Sequence, residues 1–167
     1  PLVPADVLAG LIPLMNVPAI VRVDGPVLFD SRVICAYLDA RADGGLYPKG
    51  DAVWQTRTLE ALADGILDAA LLMTYEGRLR PEAHRWDAWT EAQWDKVAGA
   101  CDALERVWAS HLAGPLDMGQ IAVACALGYV DFRHDARGWR NGRESLAAWY
   151  EAFSARESFA ATTPKDP

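Results

Sequence analysis

The sequence predicts a short mixed α/β segment followed by an all-α helical bundle, and three observations carry that prediction. Ala19–Val23 and Pro26–Phe29 are β-branched and aromatic runs around Asp24-Gly25, a turn signal for a hairpin. From residue 50 onward the apolar residues recur at steps of three and four, the period of an amphipathic helix. Between the two patterns Gly44-Gly45 stops a helix, and Leu46-Tyr47-Pro48 leads into a linker.

The elements follow in order. Pro26 opens the second run and lacks an N–H, which suits a strand start or an edge. Ser31 precedes Val33, Ile34, Tyr37 and Leu38 at helical spacing, so it reads as the N-cap of a helix reaching about Ala42. Leu59, Leu62, Ile66, Ala69 and Met73 mark a helix over roughly 51–77. Trp94, Val97, Cys101, Leu104 and Trp108 mark another over roughly 90–112. The charged connection between them contains Pro81. A third helix, about 117–130, is apolar on most sides, and Asp117 with Gln120 has the spacing of a capping box. A last helix, about 143–154, carries Leu146, Trp149, Tyr150 and Phe153. One hairpin and one helix do not make an independent domain in water, so the first part calls for more sheet.

Composition narrows the function classes. At 51% hydrophobic and 23% charged residues the chain can bury a core, which excludes a disordered or low-complexity protein. Its 16 Lys and Arg against 23 Asp and Glu leave a net charge of −7 and no basic stripe, which argues against nucleic acid as a partner. The longest apolar stretch, Ile121 to Val130, is far short of the roughly 20 residues needed to span a bilayer. Cys35, Cys101 and Cys125 are odd in number and widely spaced; they read as buried thiols of a cytoplasmic protein. His84, His111 and His134 lack metal-ligand spacing, so no metal is expected. Seven Trp residues at helical positions read as core and interface packing.

Four motifs, in this order and with these gaps, resemble the glutathione S-transferase superfamily of bacterial type, with no class assigned. Ile12-Pro13-Leu14-Met15-Asn16-Val17-Pro18-Ala19-Ile20 is similar to the family's loop into its third strand, which ends in Val-Pro with a cis proline. Leu28-Phe29-Asp30-Ser31-Arg32-Val33-Ile34-Cys35-Ala36-Tyr37-Leu38 resembles the fourth strand and third helix with their acidic-Ser pair. Asp117 through Tyr129 resembles the buried sixth helix, and Leu146 through Phe159 the C-terminal helix with its extension. Asp30 stands where the family usually has Glu or Gln, and Asp117 with Gln120 where it commonly has Ser or Thr with Asp.

The resemblance implies a thioredoxin-like N-terminal domain, partial here, over residues 1–48, and an all-α C-terminal domain over 49–167. It implies glutathione as co-substrate, no metal, a cytoplasmic homodimer, and a transferase joining glutathione thiolate to a small electrophile. Other glutathione-dependent chemistry (an isomerase, dehalogenase or disulfide reductase) and a non-catalytic interaction module use the same scaffold. Val17 and Pro18 would offer backbone groups to the cysteinyl part of glutathione, with Asn16 nearby. Asp30 would accept from the γ-glutamyl ammonium, and Ser31 would bind the γ-glutamyl carboxylate at a helix N-terminus. From the residues alone, Ser31 is a cap and Asp30 a solvated turn residue. Leu72, Met73 and Tyr75 would line the electrophile site, although apolar residues at helical spacing also read as core. The family's catalytic Ser, Tyr or Cys is expected before Pro1, so the catalytic residue of this chain is unknown.

Overall fold

The computed structural model describes residues 10, 12, 14 and 17–165 and divides the chain into two compact units, Pro1–Lys49 and Gly50–Pro167. In the first unit, strands β1 (Ala19–Ile20) and β2 (Leu28–Phe29) pair antiparallel, Ala19 opposite Phe29 and Ile20 opposite Leu28. Both strands are shorter than their β-rich runs. Pro26 has no N–H to give the ladder, and its carbonyl instead accepts from Arg22 Nε at 3.1 Å. The side chain of Val23 is fully exposed, so no burial holds that end of the run in a sheet.

Helix α1 (Ser31–Ala42) follows β2 directly. Its N-cap is Asp30 rather than Ser31: the Asp30 carboxylate accepts from Arg32 N at 3.0 Å, which makes Ser31 the first helical residue. The helix ends at Asp43 in the left-handed conformation, one residue before the Gly pair. Asp39 then accepts from Leu46 N and Tyr47 N at 2.9 and 3.2 Å, fastening the outgoing chain to the helix.

The second unit holds α2 (Ala52–Arg78), α3 (Asp87–Arg106), α4 (Ala109–Leu112), α5 (Met118–His134), α6 (Glu144–Ser154) and α7 (Glu157–Ala161). Its core joins Leu59 and Ile66 of α2, Val97 and Leu104 of α3, Val123, Leu127 and Val130 of α5, Leu146 of α6, and Trp139. Helix α5 is the centre of this arrangement, as its apolar run requires. Gly119 sits where an added Cβ would lie 2.9 Å from Leu59 Cβ and 3.0 Å from Thr56 O, so α2 and α5 meet nearly backbone to backbone.

The helix expected over 90–112 is two helices. Trp108 N donates to Ala103 O at 3.2 Å, one residue beyond the α-helical partner, and this widened turn breaks the rod at the exposed Val107. Thiol burial also differs from expectation. Cys101 is fully buried, and desolvation raises its pKa to about 11. Cys35 is half-buried and Cys125 exposed, because α5 turns that one position outward. Of the tryptophans, Trp139 is buried while Trp54 and Trp86 are exposed. No helix among the described residues is long and apolar enough to cross a membrane.

Candidate functional site

The β1–β2 register gathers the predicted residues of the first unit. Continuing the ladder one step beyond Ala19 and Phe29 sets Pro18 against Asp30. The Val17–Pro18 peptide bond is cis, and both residues are exposed just before β1. Asp30 and Ser31 form the corner between β2 and α1. Asn16 lies outside the described residues.

Asp30 holds this corner in an uncommon conformation, with φ 72° and ψ 124°. A non-glycine residue there is strained, and such strain persists where surrounding contacts fix it. Here the contacts come from Arg32. Its Nε donates to Asp30 Oδ1 at 3.2 Å and its terminal nitrogen to Oδ2 at 3.0 Å, beside the bond from its own N–H. The Arg32 guanidinium, helped by that N–H, lowers the Asp30 pKa and keeps the carboxylate ionised. Ser31 is exposed at the first position of α1, where the helix dipole favours an anion. Next to this corner Val27, Phe29, Asp30, Arg32 and Val33 line a shallow depression of about 340 Å³. Sequence reasoning missed Arg32, whose only signal was a cation two residues from the acidic position.

The three apolar candidates of the second unit separate. Leu72 and Tyr75 are exposed on the C-terminal half of α2 and line a pocket of about 450 Å³ with Glu76, Leu79 and Trp89. Met73 is buried. Glu76 holds the rim by accepting from Arg80 Nε at 2.7 Å and from Trp86 N at 2.9 Å. Beyond these residues, the capping box of α5 is present in both directions. Gln120 N donates to Asp117 Oδ1 at 3.0 Å, and Asp117 N donates to Gln120 Oε1 at 3.2 Å. No group of three metal-ligating side chains occurs among the described residues.

Among the described residues, a two-stranded sheet leading to a helix through an acidic-Ser corner, and a helical bundle built around a capped central helix, define a glutathione-transferase-like architecture. Residues 87–152 match the family described as glutathione S-transferase, C-terminal domain. The uncharacterized GST-like protein YibF of Escherichia coli K12 is 35% identical over 156 residues, 91% of this chain and 77% of that protein. A glutathione transferase family member from Pseudomonas fluorescens Pf-5, solved with bound glutathione, is 45% identical. It superposes with a TM-score of 0.93 over 98% of this chain and 80% of its own. A glutathione S-transferase from Methylobacillus flagellatus KT, also with glutathione, is 35% identical at a TM-score of 0.84, covering 95% and 80% of the two chains. The chain belongs to the glutathione S-transferase family.

Proposed function

We propose that the chain binds glutathione at the Pro18–Asp30 end of the hairpin and joins its sulfur to a small electrophile. The observation that carries this reading is the register that sets cis Val17–Pro18 beside Asp30–Ser31. The same reading is supported by 45% identity to a protein whose structure holds glutathione.

The residues suit the tripeptide. Glutathione carries an ammonium and a carboxylate on its γ-glutamyl end. Asp30, held ionised by Arg32, accepts from the ammonium. The hydroxyl of Ser31 and the N-terminus of α1 take the carboxylate. The exposed backbone at Val17 and Pro18 pairs with the cysteinyl segment as a short added strand. In the reaction the thiol gives up its proton, and the sulfur lone pair forms a bond to the electrophilic carbon. The bond from that carbon to its leaving group breaks, the bonding pair goes with the leaving group, and the thiol proton passes to water. Leu72, Met73 and Tyr75 are assigned to the electrophile, Leu72 and Tyr75 by direct contact and Met73 by shaping the helix beneath them. No residue of the chain is assigned the activation of the sulfur.

The same reading extends to assembly and compartment. We assign the chain to the cytoplasm, where its scattered cysteines stay reduced, and to a homodimer packed through α2.

The test is calorimetric titration of glutathione into the chain and into Ser31→Ala and Asp30→Ala. Each loses a charge-assisted bond to the ligand, so affinity falls about tenfold or more. Unchanged affinity in both variants means that the site lies elsewhere.

A further inference from the structure

The pocket at the C-terminal end of α2 has a volume of about 450 Å³, within the range of small-molecule sites. Leu72, Tyr75, Leu79 and Trp89 give it apolar and aromatic walls. Arg80 is the basic residue of the lining and Glu76 the acidic one. Helix α2 ends at Arg78, and Pro81 bars its continuation, so Arg80 stands in the turn toward α3. Glu76 is buried and has both carboxylate oxygens committed. Its Oε2 accepts from Arg80 Nε at 2.7 Å and its Oε1 from Trp86 N at 2.9 Å.

The bond to Glu76 occupies the Nε edge of the Arg80 guanidinium alone. The two terminal nitrogens, each carrying N–H donors, have no hydrogen-bond partner among the described residues. A side chain anchored at Nε is ordered before a ligand arrives, so less freedom is lost when it binds one. Its planar, unspent edge fits the two oxygens of a carboxylate. The local charge has the matching sign. Glu76 is offset by Arg80, and Arg85 adds a second cation. The Glu76 pKa is lowered by the Trp86 N–H, then by Arg80 and by the charge of Arg85, so the clamp on Arg80 stays ionised. Arg85 is itself fixed, donating to Gly77 O at 2.7 Å and to Arg80 O at 3.3 Å. The neighbouring acids Glu82 and Asp87 do not line the pocket. A ligand with an apolar body would be covered by the walls, and a carboxylate on that body would meet a held cation with donors to give.

We propose that the electrophile of this pocket carries a carboxylate, and that Arg80 is the specificity-determining residue that selects it. The terminal nitrogens of Arg80 donate to the two carboxylate oxygens, while Leu72, Tyr75 and Trp89 cover the carbon body. The inference rests on the transferase reading of the Leu72–Tyr75 pocket and names the substrate class for it. With a halide as leaving group, the glutathione sulfur bonds to the electrophilic carbon, the carbon–halogen bond breaks, and the halide leaves with the bonding pair. The thiol proton passes to water. The carboxylate takes no part in these changes and remains on the conjugate, so the conjugate reports on its recognition.

The test titrates three ligands calorimetrically into the full chain: glutathione, S-(4-carboxybenzyl)glutathione and S-(4-carbamoylbenzyl)glutathione. The two conjugates have nearly the same shape and differ in charge. The carboxylate conjugate is expected to bind about tenfold more tightly than the carboxamide. In Arg80→Met that preference should vanish, with glutathione and the carboxamide conjugate bound within about twofold of the unaltered chain. Arg80→Lys keeps a cation beside Glu76 but lacks the planar fork, and should retain a preference of only about threefold. The comparison of the two conjugates in the unaltered chain needs no variant. Failure of glutathione and both conjugates to bind overturns the transferase reading and this inference with it. If glutathione binds but the two conjugates bind equally, or if the full preference survives in folded Arg80→Met, the assignment of Arg80 is overturned and the transferase reading stands.

Discussion

Asp117 gathers donors from three places in the helical unit. Its Oδ1 accepts from Gln120 N at 3.0 Å, and its Oδ2 from Thr56 Oγ1 at 2.6 Å and from His111 Nε2 at 2.7 Å. Gln120 extends the cluster, donating from Nε2 to the carbonyls of His111, Leu112 and Gly114 at 2.9, 3.2 and 3.3 Å. Asp117, Thr56 and Gln120 are all buried, so each proton without an acceptor would carry its full desolvation cost. Asp117→Ala should therefore cost about 2–4 kcal/mol, above the usual loss of an N-cap alone. Asp117→Asn, which keeps an acceptor oxygen, should cost less. Urea denaturation midpoints at neutral pH check both. Half of this cluster was legible in the sequence, because the capping box is a matter of spacing. The partners Thr56 and His111 were not, since nothing local marks residues that meet Asp117 only after α2 and α4 have packed.

Among elements, α6 begins without a cap of its own. Its N-cap position is Arg143, which makes no side-chain cap bond. Glu105 of α3 supplies it instead, accepting from Ser145 N at 3.3 Å and Leu146 N at 2.7 Å. Those N–H groups, Leu146 first, lower the Glu105 pKa. A carboxylate whose folded pKa is depressed adds stability that is complete above its unfolded pKa and is lost as pH falls through the folded value. Glu105→Gln should thus be less stable than the unaltered chain at pH 7 but lose less stability on acidification below the ordinary glutamate range. Thermal melts at pH 7, 5 and 4 check this. The helices were readable from their 3.6-residue period, and their ends were not, for a physical reason. Glu105 terminates another helix from across the bundle, and the wide turn at Trp108 splits what periodicity joins. Likewise Asp30 displaced Ser31 as the cap of α1 because Arg32 could grip its carboxylate, a contact that propensity scales do not include.

At the scale of the whole molecule, α2 carries an outward seam. Trp54, Thr58, Ala61, Gly65, Asp68, Leu72 and Tyr75 are all exposed and succeed one another in alternating steps of four and three, a period that keeps one face turned to a partner helix. Its N-terminal half is Trp54 followed by small residues, which lets two backbones approach. The proposed dimer uses that half and leaves Leu72 and Tyr75 to the pocket. Ala61→Arg should shift the chain toward monomer, with dimer affinity at least tenfold weaker by sedimentation and the helical circular dichroism retained. An unchanged mass would place the contact elsewhere. The order of the parts, a hairpin corner and then a bundle, was legible because family motifs lie in both. The clamp on Arg80 was not, because Trp86 reaches Glu76 only once the chain has turned back beyond Pro81.

The contact at Gly119 reaches past stability into heredity. Any codon change that alters this amino acid adds a β-carbon, and here that atom meets Leu59 Cβ and Thr56 O at 2.9 and 3.0 Å. Gly99, by contrast, has nothing within 4 Å of an added Cβ. In a pooled library of random variants, position 119 should come back almost purely glycine while position 99 drifts freely. Lineages that diversify this scaffold are left to vary its rims and tail, with the crossing of α2 and α5 as a fixed point.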